Sequence, residues 1–178
     1  MRRRLLFTGV GCVLAGLLAL GLFGPWDRTT STPAVHAKLP ASLPSVTGDT
    51  SVTLPRLGSP QPEPVVITFF ASWCGPCEAE MPQLVRFVRA ERAKGVKLAF
   101  IGIDENDQSG GPAFTRRIGV DFPVGSDKYG VVLEDLDAPA ALPQTIFVNV
   151  HGDIVHHVYG SVTAGTTLET WVHNLTST

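Results

Sequence analysis

Cysteine is scarce in this 178-residue chain: there are three, with Cys74 and Cys77 two residues apart and Cys12 alone in a different segment. So few exclude a small scaffold stapled by several disulfides. A four-ligand zinc site is disfavoured too, because no second Cys/His pair stands at suitable spacing. A basic stripe is also missing. Setting aside Arg2, Arg3 and Arg4, 11 Lys and Arg face 16 Asp and Glu, a net charge of about −5, which argues against nucleic acid as a partner. Internal repeats and low-complexity domains are absent, and no lone cysteine sits in the Pro/Thr-rich loop that a peroxidase would need. What remains is ordinary globular material, 44% apolar and 17% charged, enough for a real core.

Long apolar runs are absent except for one. Behind Arg2-Arg3-Arg4, the chain is apolar from Leu5 to Phe23. Nineteen residues at ~1.5 Å each cover roughly 28 Å, close to the thickness of a bilayer's hydrocarbon. The basic front end places the N-terminus in the cytoplasm and everything after Pro25 outside. A cleaved signal peptide would start the same way, but its apolar core is usually only about 7–15 residues and no small-x-small site follows directly. The expected organisation is a signal-anchor or transmembrane helix over 1–24, a flexible linker over 25–42 rich in Thr, Ser, Pro and Ala, and an extracytoplasmic domain over 43–178. Cys12 then reads as an ordinary membrane-helix residue.

Within the domain, Leu43–Val46 and Ser51–Leu54 flank a turn and predict a short hairpin. Val65–Phe70 is nearly continuous in apolar residues, as in a strand of a parallel sheet covered on both faces. Met81, Leu84, Val85 and Val88 then recur at helical spacing up to Gly95, with Pro82 inside the helix. Val96–Ile103 predicts a second buried strand, joined by a right-handed crossover. The acidic run Asp104–Asp107 reads as a solvated loop. A short helix around Phe114 and Ile118 closed by Gly119, a strand over Phe122–Val124 and a helix over Tyr129–Leu136 follow. Thr145–Val150 and Ile154–Tyr159 form an antiparallel hairpin, and Leu168, Trp171, Val172 and Leu175 share one face of a last helix. The fold class is α/β, with a mixed sheet.

The chemistry concentrates at Trp73-Cys74-Gly75-Pro76-Cys77, between the first strong strand and its helix. A helix N-terminus presents unpaired N–H groups and partial positive charge, which stabilise a thiolate and lower the pKa of the first cysteine. Cys74 is therefore the candidate nucleophile and Cys77, one turn in, the resolving thiol. Pro76 suits a first helical turn, and Gly75 lets a partner approach closely. A structural disulfide closing so small a loop would constrain the unfolded chain little. Glu80 shares a face with Cys77 and could relay a thiol proton, although an acid in the first turns suits the helix dipole whatever its function. His156 and His157, adjacent in a strand, face opposite sides and make a poor metal pair.

That pentapeptide is the one found in thioredoxins, and Leu142-Pro143-Gln144-Thr145 resembles their cis-proline turn, 66 residues beyond Cys77. The stretch from about Leu43 to Leu175 resembles the membrane-anchored thiol-disulfide proteins of the TlpA, ResA and DsbE group. Cys77-Glu78-Ala79-Glu80-Met81-Pro82 carries that group's acid and proline after the second cysteine, and Asp104–Val124 fits its central insertion. The resemblance implies a thioredoxin-like fold with an N-terminal hairpin, preceded by one transmembrane helix in a bacterial cell membrane. It implies Pro143 in cis beside the disulfide, with Leu142 pairing to an extended substrate as an added strand. It also implies Trp73 as an exposed plate for partners. Thioredoxin keeps a buried Asp six residues before its first cysteine; Thr68 stands there in this chain, which leaves Glu80 as the nearest sequence-adjacent acid.

The activity implied is disulfide reduction in exported proteins, with apocytochrome c as the substrate and a transmembrane thiol carrier as the reductant. The redox-active Cys74–Cys77 pair serves in place of a cofactor, and no metal is expected. An oxidase that donates its disulfide is the alternative in the same fold. A copper metallochaperone is the alternative from another class, weakened by the close cysteine spacing and the lack of a dedicated histidine.

Overall fold

The computed structural model describes residues 38–48, 50–107, 109–162 and 166–176. The expected anchor over 1–24 and most of the 25–42 linker lie outside them. Among the described residues no helix is long and apolar enough to cross a membrane. Packed chain begins before the expected boundary at 43, because Leu39 lies against the core and the Ala41 carbonyl accepts the Leu54 N–H at 3.0 Å.

Among the described residues eleven elements follow in order: β1 (Ser42–Pro44), β2 (Ser51–Thr53), β3 (Val65–Phe70), α1 (Gly75–Ala93), β4 (Ala99–Glu105), α2 (Gly111–Ile118), β5 (Val124–Asp127), α3 (Val131–Asp135), β6 (Gln144–Val148), β7 (Ile154–Tyr159) and α4 (Thr166–Thr176). Strands β1 and β2 form the antiparallel hairpin expected from their flanking turn. The remaining five make one mixed sheet in the order β5-β4-β3-β6-β7, parallel on the β5-β4-β3 side and antiparallel across β3-β6-β7. All six residues of β3 are buried, as its unbroken apolar run requires of a strand covered on both faces.

Alternation along β3 sorts the core into two layers. Val66 and Phe70 pack with Cys77, Met81, Leu84 and Val88 of α1 and with Leu168 and Val172 of α4. Val65, Ile67 and Phe69 pack on the opposite face with Val132 and Leu133 of α3 and Leu43 and Val52 of the hairpin. The stretch expected as a central insertion builds α2 and leads into β5, the strand that completes the parallel edge.

Three boundaries differ from the sequence reading near the site. Strand β4 runs two residues past Ile103, because Asp104 and Glu105 pair with Ser126 and Asp127 of β5. Helix α3 starts only at Val131, since Gly130 takes the left-handed φ of 72° and turns the chain before it. That leaves Tyr129 outside the helix and 80% exposed. Strand β5 begins two residues later than expected: Phe122 leaves the sheet to pack against Phe100, and the Pro123 carbonyl accepts the Gly102 N–H.

Phe69, with no exposed surface on the α3 face of β3, is the central test of this layering. Phe69→Ala should lower unfolding free energy by about 3–5 kcal/mol, read as a shift in urea midpoint at constant slope. A loss below about 1 kcal/mol would mean that this face is not a closed core.

Candidate functional site

Strand β3 ends at Phe70, and the next residues emerge at the edge of the sheet. The Cys74 N–H donates to the Ala71 carbonyl at 3.1 Å, closing a turn that delivers Cys74 to the N-cap of α1 in extended conformation. Cys74 and Cys77 are joined as a disulfide, with Cα atoms 5.2 Å apart. The Cys77 N–H donates to Cys74 Sγ at 3.2 Å. This is a capping hydrogen bond with sulfur as acceptor, and in the dithiol form the same N–H and the helix dipole stabilise a thiolate on Cys74. Cys74 is 5% exposed and Cys77 1%, so the first cysteine is the more accessible of the two.

Gly75 and Pro76 are exposed, and a Cβ added at Gly75 would meet nothing within 4 Å. The glycine is therefore not required by packing within the domain, and the open space lies where a partner would approach. Trp73 projects into solvent, 63% exposed. The Leu142–Pro143 peptide is cis. Pro143 is buried, and Leu142 packs against the core cluster that contains both cysteines. The fold thus brings together cysteines and proline 66 residues apart in sequence.

Glu80 is not a solvated helix-dipole acid. It is 4% exposed on the same side of α1 as Cys77 and Met81, and its Oε1 accepts the backbone N–H of Val162. Burial pushes its pKa up to about 7, against the opposing pull of the Val162 hydrogen bond. Thr68 has no exposed surface and accepts a long hydrogen bond from the Thr145 hydroxyl at 3.5 Å, so no carboxyl occupies that position behind the cysteines.

The acidic run corrects the sequence reading. Asp104, Glu105 and Asp107 are buried, not solvated, and with Asp127 they form two carboxyl pairs at the end of β4. Burial, then the Asp107 charge and hydrogen bond, push Asp104 up to about 7. Burial, then Asp127, push Glu105 up to about 8. Burial works to raise Asp107 as well, but the hydrogen bonds from Ser72, Gly110 and Ser109 outweigh it and hold this carboxyl below its ordinary value. Asp104 Oδ1 and Glu105 Oε2 are buried with no hydrogen-bond partner among the described residues. The other member of each pair anchors backbone: Asp107 accepts the Ser72 N–H at 2.8 Å, tying the loop before Trp73 to the end of β4. Asp127 accepts the N–H groups of Val131 and Val132 at 3.1 and 2.7 Å. Charge composition alone favoured a loop here, and only the position of the acids at the end of a buried strand hinted otherwise.

Sequence reasoning also missed Gln144. Fully buried, its Nε2 donates to the Pro139 and Ala141 carbonyls at 2.6 and 2.5 Å, while its Oε1 meets His157 Nε2 at 2.8 Å. Burial lowers the His157 pKa, which keeps the ring neutral, and the Nε2–H tautomer donates to Gln144. The amide thereby fixes the loop that presents Leu142 and Pro143. A polar residue opening an otherwise apolar strand was the available signal. His156 faces the other way, stacked on Trp171. Among the described residues no group of three or more His, Cys, Asp or Glu is arranged to hold a metal.

Glu80, Asp104 and Glu105 all have folded pKa values above their ordinary ones. Their contribution to stability is therefore complete below about pH 4 and is lost as pH rises through about 7 to 8. The denaturant midpoint of the wild type should fall between pH 5 and 9, and Glu105→Gln, neutral at every pH, should fall less steeply. Parallel slopes would remove the buried proton from Glu105.

Comparisons with known proteins agree with this geometry. The redoxin family matches residues 35–171. The chain is 34% identical over 103 residues to the thiol-disulfide oxidoreductase ResA of Oceanobacillus iheyensis, covering 56% of this chain and 50% of that protein. It spans about half the length of the curated relatives it matches. Among solved structures it is similar to MTB dsbF, with TM-score 0.64 and 24% identity over 81% of this chain and 98% of the other. StoA from Bacillus subtilis superposes with TM-score 0.61 at 22% identity, covering 78% of this chain and 98% of that one. At these identities the structural likeness establishes the thioredoxin-like fold.

Proposed function

Because the chain belongs to the redoxin family, we propose that it is a membrane-tethered thiol-disulfide oxidoreductase that reduces disulfides of exported proteins outside the cytoplasmic membrane. The observation that carries this reading is the Cys74–Cys77 disulfide at the head of α1, with the Cys77 N–H on Cys74 Sγ and the cis Leu142–Pro143 peptide against the same core.

In the dithiol form the Cys74 thiolate attacks one sulfur of a substrate disulfide, forming a mixed disulfide and releasing the other substrate sulfur as a thiolate, which takes a proton. Cys77 loses its proton and attacks Cys74 Sγ, expelling the second substrate sulfur. Two electrons pass to the substrate, and the domain is left with the Cys74–Cys77 disulfide. Glu80, with a pKa of about 7 on the same side of the helix, is matched to take the Cys77 proton and return it when the pair is reduced again. Leu142 offers its backbone to the substrate as an added strand, and Trp73, Gly75 and Pro76 line the approach. A transmembrane thiol carrier restores the dithiol. Apocytochrome c, whose haem-attachment motif carries a cysteine pair, is the substrate class we assign from the resemblance of the motif and its flanks. The Gly-Pro pair between the cysteines favours the reducing direction, toward the thioredoxin value of about −270 mV.

Cys77→Ser should accumulate mixed disulfides between Cys74 and its substrates, recovered from the exported compartment and released by dithiothreitol. Failure to trap any protein would reverse or remove the assigned order of attack. In a glutathione titration a midpoint above about −150 mV would turn the reductase into an oxidase. Glu80→Gln should keep the fold and erase the inflection near pH 7 in the exchange rate; an unchanged profile would reduce Glu80 to a structural acid.

A further inference from the structure

Two of the largest exposed apolar side chains in the domain, Trp73 and Tyr129, line one groove of about 380 Å³. Trp73 immediately precedes the attacking cysteine, and Leu142, on another wall, immediately precedes the cis proline. The groove therefore continues directly from the surface where a substrate strand would dock. Leu133 contributes further apolar lining, and Glu134 and Asp137 set exposed carboxylates on the rim. No lysine or arginine is among the described residues that line it. Glu105 also lines it, but burial and the neighbouring Asp127 push its pKa up to about 8, so the charge comes from the rim. Lys128 turns its ammonium to 6.0 Å from the Tyr129 ring centroid, which shows that this ring accepts a cation at its face.

An aromatic-walled, acid-rimmed groove suits a long aliphatic stem ending in positive charge. Trp and Tyr faces attract cations, rim carboxylates add Coulomb attraction, and the methylene stem covers apolar lining. We propose that this groove is a specificity subsite that holds a lysine or arginine side chain flanking the disulfide of the polypeptide substrate. The assignment rests on the oxidoreductase reading of the same site and adds to it which substrates the domain prefers. The geometry also explains Tyr129: Gly130 ends the turn before α3, leaving the ring outside the helix and presented to the groove instead of packed.

The test uses the full chain in its dithiol form and three peptides, each closed by one Cys-Ala-Ala-Cys disulfide and flanked by two lysines, two serines or two glutamates. At low salt the lysine peptide should be reduced about tenfold faster than the glutamate peptide, equivalent to about 1.4 kcal/mol. The serine peptide should fall between them, and the spread should narrow in high salt. In Glu134→Gln/Asp137→Asn the lysine-to-glutamate ratio should drop to about threefold or less, equivalent to about 0.65 kcal/mol. Glu63→Gln/Glu169→Gln, which removes the same charge elsewhere, should keep the full ratio. Tyr129→Ala should slow the lysine peptide more than the serine peptide. Equal rates for all three peptides, or the same ratio in both double variants, would overturn the groove while leaving the redox function standing. If neither the peptides nor bis(2-hydroxyethyl) disulfide is reduced at all, the oxidoreductase reading falls and the subsite with it.

Discussion

The reactive end of this domain depends on how β3 terminates. Six buried residues hold that strand between β4 and β6, so its exit point is rigid, and the next turn must place Cys74 on the N-cap of α1. From that placement follow the N–H aimed at sulfur, the favourable dipole and the shallow burial of Cys74 relative to Cys77. The antiparallel neighbour β6 starts just after Pro143, which brings the cis peptide to the same edge. Strand β4, parallel on the other side, ends at the buried acids. Three neighbouring strands thus each deliver one part of the site.

The acids show how a charged sequence can be buried without an opposite charge. In each pair burial and the neighbouring acid raise the pKa of one carboxyl, while the other accepts backbone N–H groups. Asp107 secures the loop leading to Trp73, and Asp127 secures the turn into α3. Those two segments both line the groove that Trp73 shares with Leu142. A group with its pKa near neutrality at Glu80 is a different matter, since it sits on the cysteine helix and accepts the Val162 N–H.

Much of the fold was legible locally. The apolar run of β3, the helical spacing after Cys77, the turn at His151–Asp153 and the amphipathic face of α4 each rest on residues close in sequence, where side-chain periodicity reports burial directly. Composition misled at Asp104–Asp107, because charge is a sound guide to exposure only when no partner carboxyl or backbone N–H waits at the buried site. The start of α3 was misplaced for a related reason. Tyr129 fits a helical pattern, but Gly130 adopts a positive φ that no pattern of apolar residues reveals.

The sequence by itself determined the redox pair, the helix that follows it and the cis proline, since these follow from a five-residue motif, a second short turn and their resemblance to known proteins. Only the tertiary structure decided how Glu80 meets Val162 across 82 residues, how Asp107 holds Ser72 across 35, and how Gln144 and His157 brace the proline loop. Burial and pairing at such separations are properties of the assembled sheet, not of any local segment. A pKa, a clamp or a groove belongs to that assembly, because desolvation and hydrogen bonding act through space and not along the chain.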